Sequence, residues 1–423
     1  MSLKNKNITL GIIIDTALKI PPNTGVTYRL YFLSKKLTEK GLKVKLFLCN
    51  RNINSNKDAE SLFENSTMEY HIIPEKIFYD VKKMKSIIKE NSLDILQFED
   101  AISLLRYYEI GVKLNIPICL EMHDVETTLK EFLGYRKDEI KNAQIISHNA
   151  CRLAQAIVCM TSLDHSELIH KVNVSKGKLT LIPNPIDLDY FFYYGPYIKS
   201  FNIIFVGNMF YWPNKNAMEQ IAKKIYPEVI KKAKDIKFYF IGMIPKKIRK
   251  KYEKDNFIFT GSVDNLNEYL KIATLALCPV IEGSGMKVKL LNYCAAGLPV
   301  ITSKIGASGY EKVKSLLIEN DIDNYPNVIV DLLNHHSKLK KIGRSNRKYI
   351  EKNFDINDIA DKTIRLYKKM IDNFQYKNRI IRKKRITKLV QLLWLDEKRV
   401  KTITNKNYYI INNGKIIYKK EIA

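Results

Sequence analysis

Two lysines, Lys287 and Lys289, stand at alternate positions directly after a turn with the sequence Gly283-Ser284-Gly285. Glycines let backbone N–H groups approach a ligand closely, and the start of a helix adds partial positive charge. No aspartate or glutamate occurs between Gly283 and Tyr310 to neutralise the two lysines. This combination of residue types predicts a site that binds a diphosphate or a similar anion.

The segments around this turn predict the elements that would position it. The apolar segment LALCPV at 275–280 predicts a buried strand, and the loop IEGSG follows its carboxyl end. A helix is expected from about Met286 through LLNYCAAG, with Gly297 as its cap, before the next strand begins at Leu298. An isolated turn of this composition is more often an ordinary solvated turn. The strand–loop–helix–strand frame is what favours a binding site.

The same alternation of strands and helices runs along the chain and restarts once. Apolar segments typical of buried parallel strands occur in the first half at 8–14, 43–49, 93–98, 116–122, 154–160 and 178–184. They recur in the second half at 202–207, 237–242, 256–261, 275–280 and 298–303. The pattern predicts an α/β protein with two Rossmann-like, doubly wound parallel-sheet domains that face each other across a cleft.

The boundaries of the expected parts follow from these segments. An N-terminal domain is predicted over residues 1–195 and a second domain over 196–355, with a hinge near FFYYGPYIKS. The helix at 356–374 is expected to cross back and lock the two domains, and a basic extension occupies 375–423. Ligands of such folds bind beyond the carboxyl ends of the strands, which places the site in the cleft.

The composition limits the classes of partner. A formal charge of +27 favours phosphates, nucleic acid or an acidic membrane surface, although abundant Lys, Asn and Ile indicate a general compositional bias as well. No recognised nucleic-acid module occurs in the sequence, so nucleic acid is not an expected partner. The six cysteines form no C-x-x-C pair and are typical of reduced core residues in a cytoplasmic protein. No apolar run is long enough to predict a membrane-spanning helix.

Several segments together resemble a known family. FVGNMFYWPN at 205–214 and GSGMKVKLLNYCAAGLPV at 283–300 are similar to motifs of the family 4 retaining glycosyltransferases, which have the GT-B fold. PPNTGV at 21–26, MHDVETTL at 122–129 and IPNPIDLDYF at 182–191 add to the resemblance. It covers nearly all of residues 7–374, and the order and spacing of the segments make it specific.

The resemblance implies roles for the matching positions. Lys287 and Lys289 would grip the diphosphate of a nucleotide-sugar donor and stabilise the charge that grows there as the glycosidic bond breaks, without a metal ion. Glu282 and His123 would contact the transferred sugar, although Glu282 also fits a solvated loop acid and His123 a structural hydrogen-bonding residue. The further donor-binding positions are Gly25, Gly207, Asn208, Gly283, Ser284, Gly285 and Asn292.

The resemblance implies the transfer of a sugar to a lipid-linked or polysaccharide acceptor with retention of anomeric configuration. It implies no cofactor beyond the nucleotide-sugar donor.

One position departs from the family. Asn292 stands where the family has a glutamate that holds both ribose hydroxyls, and an uncharged amide makes weaker hydrogen bonds. Two alternatives stay open. Asn292 favours a non-catalytic relative in a polysaccharide assembly complex, whereas Lys287, Lys289, Glu282 and His123 argue against it. A nucleotide-sugar 2-epimerase is less favoured, because it would need several carboxylates and histidines in the cleft and only His123 is well placed.

One D-x-D sequence, Asp321-Ile322-Asp323, could in principle hold a metal-bound diphosphate. We favour the interpretation that this acidic loop leads into the next helix, and we expect no metal site.

The C-terminal extension differs in composition from the rest of the chain. Residues 375–423 contain 14 lysines and arginines and 3 acidic residues. Within them, 377–398 predicts a helix with an apolar face beside dense positive charge, which favours a peripheral position on an anionic cytoplasmic membrane surface. The alternative is that this face packs on the protein, followed by a hairpin that turns at Asn413-Gly414.

Overall fold

The computed structural model describes residues 7–15, 25–50, 68–374, 407–412 and 415–421. Two sheets organise these residues, and the prediction of an α/β fold with two Rossmann-like parallel sheets is confirmed. The predicted membrane helix and most of the PPNTGV segment lie outside the described residues, as does the turn at 413–414.

The first sheet contains seven parallel strands in the order β3-β2-β1-β4-β5-β6-β7. Its middle strands are apolar and buried on both faces, as β1 shows with buried side chains from Leu10 to Ile14, because helices cover both sides. The strands are β1 (Thr9–Ile14), β2 (Lys43–Asn50), β3 (Glu69–Pro74), β4 (Ile95–Phe98), β5 (Ile118–Met122), β6 (Ala156–Cys159) and β7 (Leu179–Leu181). The helices are α1 (Gly25–Glu39), α2 (Glu75–Phe78), α3 (Val81–Glu90), α4 (Ala101–Leu114), α5 (Glu126–Phe132), α6 (Lys137–Leu153) and α7 (Ser162–His170).

The second sheet contains six parallel strands in the order β10-β9-β8-β11-β12-β13. They are β8 (Asn202–Val206), β9 (Lys237–Ile241), β10 (Phe257–Gly261), β11 (Leu275–Cys278), β12 (Val300–Thr302) and β13 (Leu317–Ile318). The helices are α8 (Trp212–Gln220), α9 (Tyr226–Lys232), α10 (Lys246–Tyr252), α11 (Asn267–Leu270), α12 (Val288–Ala295), α13 (Tyr325–Asn334) and α14 (His336–Phe354). A π-helical turn at Ile221–Ile225 joins α8 to α9.

The helix α15 (Ile356–Asp372) returns to the first sheet. Its residues Ile359, Ala360, Tyr367 and Met370 are buried in the same apolar cluster as strands β1 and β2. The ammonium of Lys40, just after α1, lies 2.7 Å from the carboxylate of Asp361. The boundaries at 195 and 355 remain our proposal for how the chain divides.

A C-terminal hairpin extends the first sheet beyond its parallel strands. Strands β14 (Asn407–Asn412) and β15 (Lys415–Glu421) pair antiparallel, and β14 pairs antiparallel with β3 in a register that sets Ile410 opposite His71. The predicted hairpin is therefore present, and it makes the sheet nine-stranded. Strand β3, on which it docks, was missed by the sequence analysis because its sequence EYHIIP mixes polar residues with a proline.

Two further expectations can be compared with the structure. The six cysteines are free and buried, as predicted for core residues. Among the described helices, none combines the length and the apolar character that crossing a bilayer requires.

Candidate active site

The glycine turn lies where the carboxyl ends of both sheets meet. Gly283 and Gly285 have φ angles of +103° and +70°, which favour glycine. A Cβ atom on Gly285 would lie 2.4 Å from Asp124 Oδ1 and 2.7 Å from the carbonyl oxygen of His123. The Ser284 hydroxyl donates to Asp124 Oδ1 at 2.8 Å. The turn of the second half therefore packs directly on the end of β5 in the first half.

Lys287 precedes the helix that follows the turn. Helix α12 begins at Val288, two residues later than expected, so Lys287 is its N-cap residue. The Lys287 ammonium donates to the carbonyl oxygens of Ser284 at 2.6 Å and Gly285 at 3.0 Å. Burial lowers the pKa of this lysine, although the charges of Asp124 and Asp164 oppose that shift. The neutralising carboxylates that the local sequence lacks thus come from the other half of the chain.

Lys289, in the first turn of α12, is a buried cation whose contacts are uncharged. Its ammonium donates to Asn214 Oδ1 at 2.7 Å and lies 4.2 Å from the centre of the Phe205 ring. Burial, with a smaller contribution from the charge of Lys287, lowers the pKa of Lys289 to about 8. No carboxylate of the described residues pairs with it. A bound anion would remove the electrostatic cost of this arrangement.

Glu282 is held by two donors rather than exposed as a free loop acid. Trp212 Nε1 donates to Glu282 Oε2 at 2.6 Å, and Asn216 Nδ2 donates to Glu282 Oε1 at 2.8 Å. Both donors come from the start of α8, where Pro213 occupies one of the first helical positions. The sequence analysis did not identify Trp212, Asn214 or Asn216. They lie in the segment 210–217, whose Pro213 is typical of the first turn of a helix and was the available signal.

Gly207 and Asn208 shape the loop between β8 and α8. A Cβ atom on Gly207 would lie 2.8 Å from Asn214 Cγ, so glycine allows α8 to pack against the strand end. Asn208 Oδ1 accepts a hydrogen bond from the Phe210 amide at 3.0 Å. Gly25 begins α1, and a Cβ atom there would lie 3.5 Å from Val288 Cγ2. The start of α1 in the first half therefore lies beside the start of α12 in the second.

His123 belongs to a buried polar network at the ends of β4 and β5. Its Nε2 atom lies 2.7 Å from Glu99 Oε2, and Gln97 Nε2 donates to Glu99 Oε1 at 2.8 Å and to Glu121 Oε2 at 3.1 Å. Arg29 Nε donates to Glu121 Oε1 at 2.9 Å. The network fixes the orientation of the His123 ring. Its polar residues at strand ends, in ILQFED and LEMHD, could have been recognised from the sequence.

Charges within this network shift the pKa values of its members. Burial disfavours the charged form of His123, but its hydrogen bond to Glu99 and the nearby charges outweigh burial and raise its pKa. Burial, together with the charge of Glu121, raises the pKa of Glu99. Burial also acts against ionised Glu121, but the charge of Arg29 prevails and lowers its pKa. These shifts favour the ionised form of Glu121 and the protonated forms of His123 and Glu99.

The ligand atoms of Glu99, Glu121 and His123 lie within 4.8 Å of one another, close enough to hold a metal ion. The sequence analysis did not foresee this group. Two N–H groups of Arg29 already bind Glu121, and Nε2 of His123 already contacts Glu99. The carboxylates therefore have protein partners, and the set fits a positioning network for His123 better than a metal site.

Asn292 is 6% exposed, and its Oδ1 atom accepts no hydrogen bond from the described residues. A buried acceptor without a donor is costly, so it suits a ligand hydroxyl. The next two residues, Tyr293 and Cys294, have a structural role. The Tyr293 hydroxyl accepts a hydrogen bond from the Val206 amide at 2.6 Å, and Cys294 is fully buried in the core.

Three other acidic residues, Asp164, Asp321 and Asp323, differ in their surroundings. Asp164, which the sequence analysis missed, is 1% exposed, and neither of its carboxylate oxygens has a hydrogen-bond partner in the described residues. Burial, and to a smaller extent the charge of Asp124, raises its pKa to about 6. Asp321 caps the short turn at Ile322–Asn324 and Asp323 pairs with Lys224, so this acidic loop leads into α13 as expected.

Two family models match adjoining parts of the chain. The model described as "Glycosyltransferase Family 4" matches residues 23–190, and the model described as "Glycosyl transferases group 1" matches residues 200–335. The first match contains strands β2 to β7 with His123, and the second contains β8 to β13 with Lys287 and Lys289. The chain belongs to the group 1 glycosyltransferases of family 4 and has the GT-B fold.

Two curated proteins are similar in sequence to this chain. The chain is 25% identical over 251 residues to the UDP-Gal:alpha-D-GlcNAc-diphosphoundecaprenol alpha-1,3-galactosyltransferase of Escherichia coli, a match that covers 53% of this chain and 62% of that protein. It is 27% identical over 208 residues to an uncharacterized 44.6 kDa protein in the cps region of Klebsiella pneumoniae, covering 46% of this chain and 54% of that one. The chain therefore spans little more than half the length of the curated relatives it matches.

Solved structures share the fold at low sequence identity. The Alr3699/HepE protein of Anabaena, solved with UDP and glucose, superposes with a TM-score of 0.68 at 12% identity over 86% of this chain and 100% of that one. A glycosyltransferase from Rickettsia africae superposes with a TM-score of 0.66 at 15% identity over 88% of this chain and 100% of that one. Both support the GT-B architecture.

Proposed function

We propose that this protein transfers a sugar from a nucleotide-sugar donor to an acceptor hydroxyl with retention of anomeric configuration. The observation that carries the proposal is the buried ammonium of Lys289, close to Lys287 at the start of α12, which has no carboxylate partner among the described residues. Such a site suits a diphosphate, whose negative charge would compensate both lysines. His123 and Glu282, from opposite halves of the cleft, are the side chains proposed to contact the transferred sugar.

Sugar transfer requires that the departing diphosphate be stabilised. The bond between the anomeric carbon and the diphosphate oxygen breaks, and the electron pair stays on that oxygen. Lys287, Lys289 and the partial positive charge at the start of α12 would stabilise the growing charge. The acceptor oxygen forms the new bond on the face that the diphosphate leaves, and its proton passes to a diphosphate oxygen. Two fixed cations fill the role that a metal would otherwise take, so we propose metal-independent transfer.

The relatives support a choice of donor and acceptor class. The Escherichia coli galactosyltransferase is named for a UDP-linked donor and a lipid-diphosphate-linked acceptor, and the Anabaena structure contains UDP. We propose a UDP-sugar donor and a lipid-linked or polysaccharide acceptor for this chain. The Asn292 Oδ1 atom, which accepts no hydrogen bond from the described residues, would accept one from a ribose hydroxyl and so support binding of the nucleotide without the family carboxylate.

A membrane-bound acceptor would suit a peripheral position for the protein on the cytoplasmic membrane surface. The basic residues proposed to bind anionic head groups are Arg382, Lys383, Arg385 and Lys388. Their test is sedimentation with anionic vesicles at low salt after all four are replaced by glutamine. These four substitutions leave the hairpin of β14 and β15 in place on β3, whereas a truncation after Phe374 would remove the hairpin. Unchanged sedimentation of this variant would refute the membrane role of the extension.

The test of the activity is a hydrolysis screen. The full chain is incubated with a panel of UDP- and other nucleotide-linked sugars, and both nucleoside diphosphate release and conversion to the 2-epimer are measured. We expect diphosphate release with at least one donor, unchanged by EDTA. Epimer without release would favour the epimerase alternative, and neither product would favour a non-catalytic relative. Loss of activity in EDTA with recovery in magnesium or manganese would refute metal independence.

A further inference from the structure

A second cationic cavity lies between the two halves of the molecule, apart from the proposed donor site. Its volume is about 400 Å³, and its walls include Thr161 and Ser162 before and at the start of α7, Lys312, and Lys362 and Arg365 of α15. The cavity therefore draws its lining from both halves and from α15, and its charged side chains come from the second half and α15.

The lysines and arginine of this cavity have no acidic partner among the described residues. Lys312, Lys362 and Arg365 form no ion pair or side-chain hydrogen bond there. Lys362 and Arg365 are three residues apart on α15 and so share one face of the helix. Burial, and then the charge of Arg365, lowers the pKa of Lys362, as expected for neighbouring cations without a counter-ion.

Two acidic residues, Glu311 and Asp358, also line the cavity, and neither forms an ion pair with its three cations among the described residues. Glu311 Oε1 accepts a hydrogen bond from the Gly309 amide at 2.9 Å. Asp358 is exposed in the first turn of α15, where a carboxylate is favoured by the helix itself. The cavity also lies at the start of the nine-residue helix α7, whose first amides add partial positive charge.

The cavity is separate from the donor site but next to it. A Cβ atom on Gly309 would lie 3.1 Å from both Met286 Cγ and Thr161 Cγ2. Gly309 and Thr161 line the cavity, whereas Met286 directly precedes Lys287 in the proposed diphosphate loop. A tight contact between the two halves thus stands between the two cationic sites.

We propose that this cavity binds a phosphate group, as a second anion site distinct from that of the donor diphosphate. Lys362 and Arg365 would bind it from α15 and Lys312 from the opposite half, so the ligand would bridge the two halves of the cleft. The phosphate could belong to a free phosphorylated molecule or to a lipid headgroup. The inference goes beyond the proposed transfer reaction and does not depend on it.

The test measures binding of inorganic phosphate and, in a second arm, of farnesyl phosphate to the full chain by calorimetry. The cavity variant Lys362→Ala/Arg365→Ala is compared with the matched control Lys368→Ala/Lys369→Ala, which removes two exposed cations from the same helix outside the cavity. We expect the cavity variant to bind about tenfold more weakly or worse, since hydrogen bonds to charged groups are lost. The control variant should bind within about twofold of the wild type, and Lys289→Ala is measured alongside to identify binding at the donor site.

Each outcome decides the proposal. Much tighter binding of farnesyl phosphate than of phosphate assigns the site to a lipid-linked ligand, and similar binding assigns it to a free phosphorylated one. Equal weakening in the control would mean bulk charge, loss in Lys289→Ala would mean binding at the donor site, and no binding of either probe would mean no site. Each of these three results overturns the proposal. If the cavity variant fails to fold, Lys312→Ala on the opposite wall, at an exposed position, must weaken binding instead.

Discussion

Replacing Lys289 by methionine removes one charge while keeping an unbranched side chain against Phe205. Burial lowers the pKa of Lys289 from 10.5 to about 8, which corresponds to roughly 3 kcal/mol of disfavoured charge. A diphosphate that compensates this charge would recover a similar amount. We therefore expect Lys289→Met to slow donor cleavage on the order of 100-fold, because 1.4 kcal/mol is about a tenfold change in rate.

The assay is the initial rate of nucleoside diphosphate release under saturating donor, together with calorimetric binding of the nucleoside diphosphate. Lys304→Ala, an exposed lysine in the loop after β12, is the control for a general loss of positive charge and should retain nearly normal rates. A Lys289→Met variant with rates within about threefold of the wild type would refute the reasoning, since the buried cation would then contribute less than 1 kcal/mol.

Three other predictions follow from the same site. Because the pKa of Lys289 in the ligand-free protein is about 8, its positive charge is present below that pH and lost above it. Nucleoside diphosphate affinity should therefore fall by up to about tenfold per pH unit above pH 8, and less steeply in Lys289→Met, as calorimetry across this range would detect. Asn292→Glu should tighten nucleoside diphosphate binding by roughly 1–2 kcal/mol, because hydrogen bonds to a charged acceptor are stronger. Unchanged or weaker binding by calorimetry would mean that the pocket is rebuilt around the amide. Gly285→Ala should lower turnover at least about tenfold while leaving nucleotide binding nearly intact, because its Cβ atom would meet Asp124 and hold the halves apart. Gly41→Ala, with a φ angle of +93° and open space around it, is the control for backbone strain alone, and equal kinetic effects in both variants would contradict this account.

The fold was predictable because both sheets are made of continuous apolar strands. Segments such as ITLGIII and LALCPV are buried along their length, and their order around intervening helices allows few topologies. Strand β3 was not predictable in this way, because it lies near the sheet edge and carries Glu69 and His71. Its pairing with the hairpin strand β14 joins positions more than 300 residues apart, and local patterns carry no information about such contacts.

The site was predictable where one short segment carries it. The positions of Gly283, Gly285, Lys287 and Lys289 follow from a strand, a tight turn and a helix start within one stretch of chain. The partners of these residues come from elsewhere. Asp124 approaches the turn from the other sheet, and the Glu282 carboxylate is held from α8. Such contacts depend on how the two halves close, which the sequence pattern does not specify.

The buried acids around His123 illustrate the same limit. Glu99 and Glu121 end neighbouring strands, but their pairing with His123 and Arg29 requires the register of β4, β5 and α1 together. Asp164 gave no sequence signal at all, since an aspartate in the first turn of a helix is ordinary. Its burial becomes visible only once both halves are in place.

The measurement that tests the central claim most directly is the anomeric configuration of the first product. The full chain is incubated with α-linked UDP-galactose and the other donors of the panel, and proton NMR follows the released sugar before it mutarotates. The account predicts release of UDP or another nucleoside diphosphate together with the α-anomer of the sugar. Initial release of the β-anomer would contradict retention, and no release from any donor, by protein that is shown to be folded, would contradict the proposed use of a nucleotide sugar.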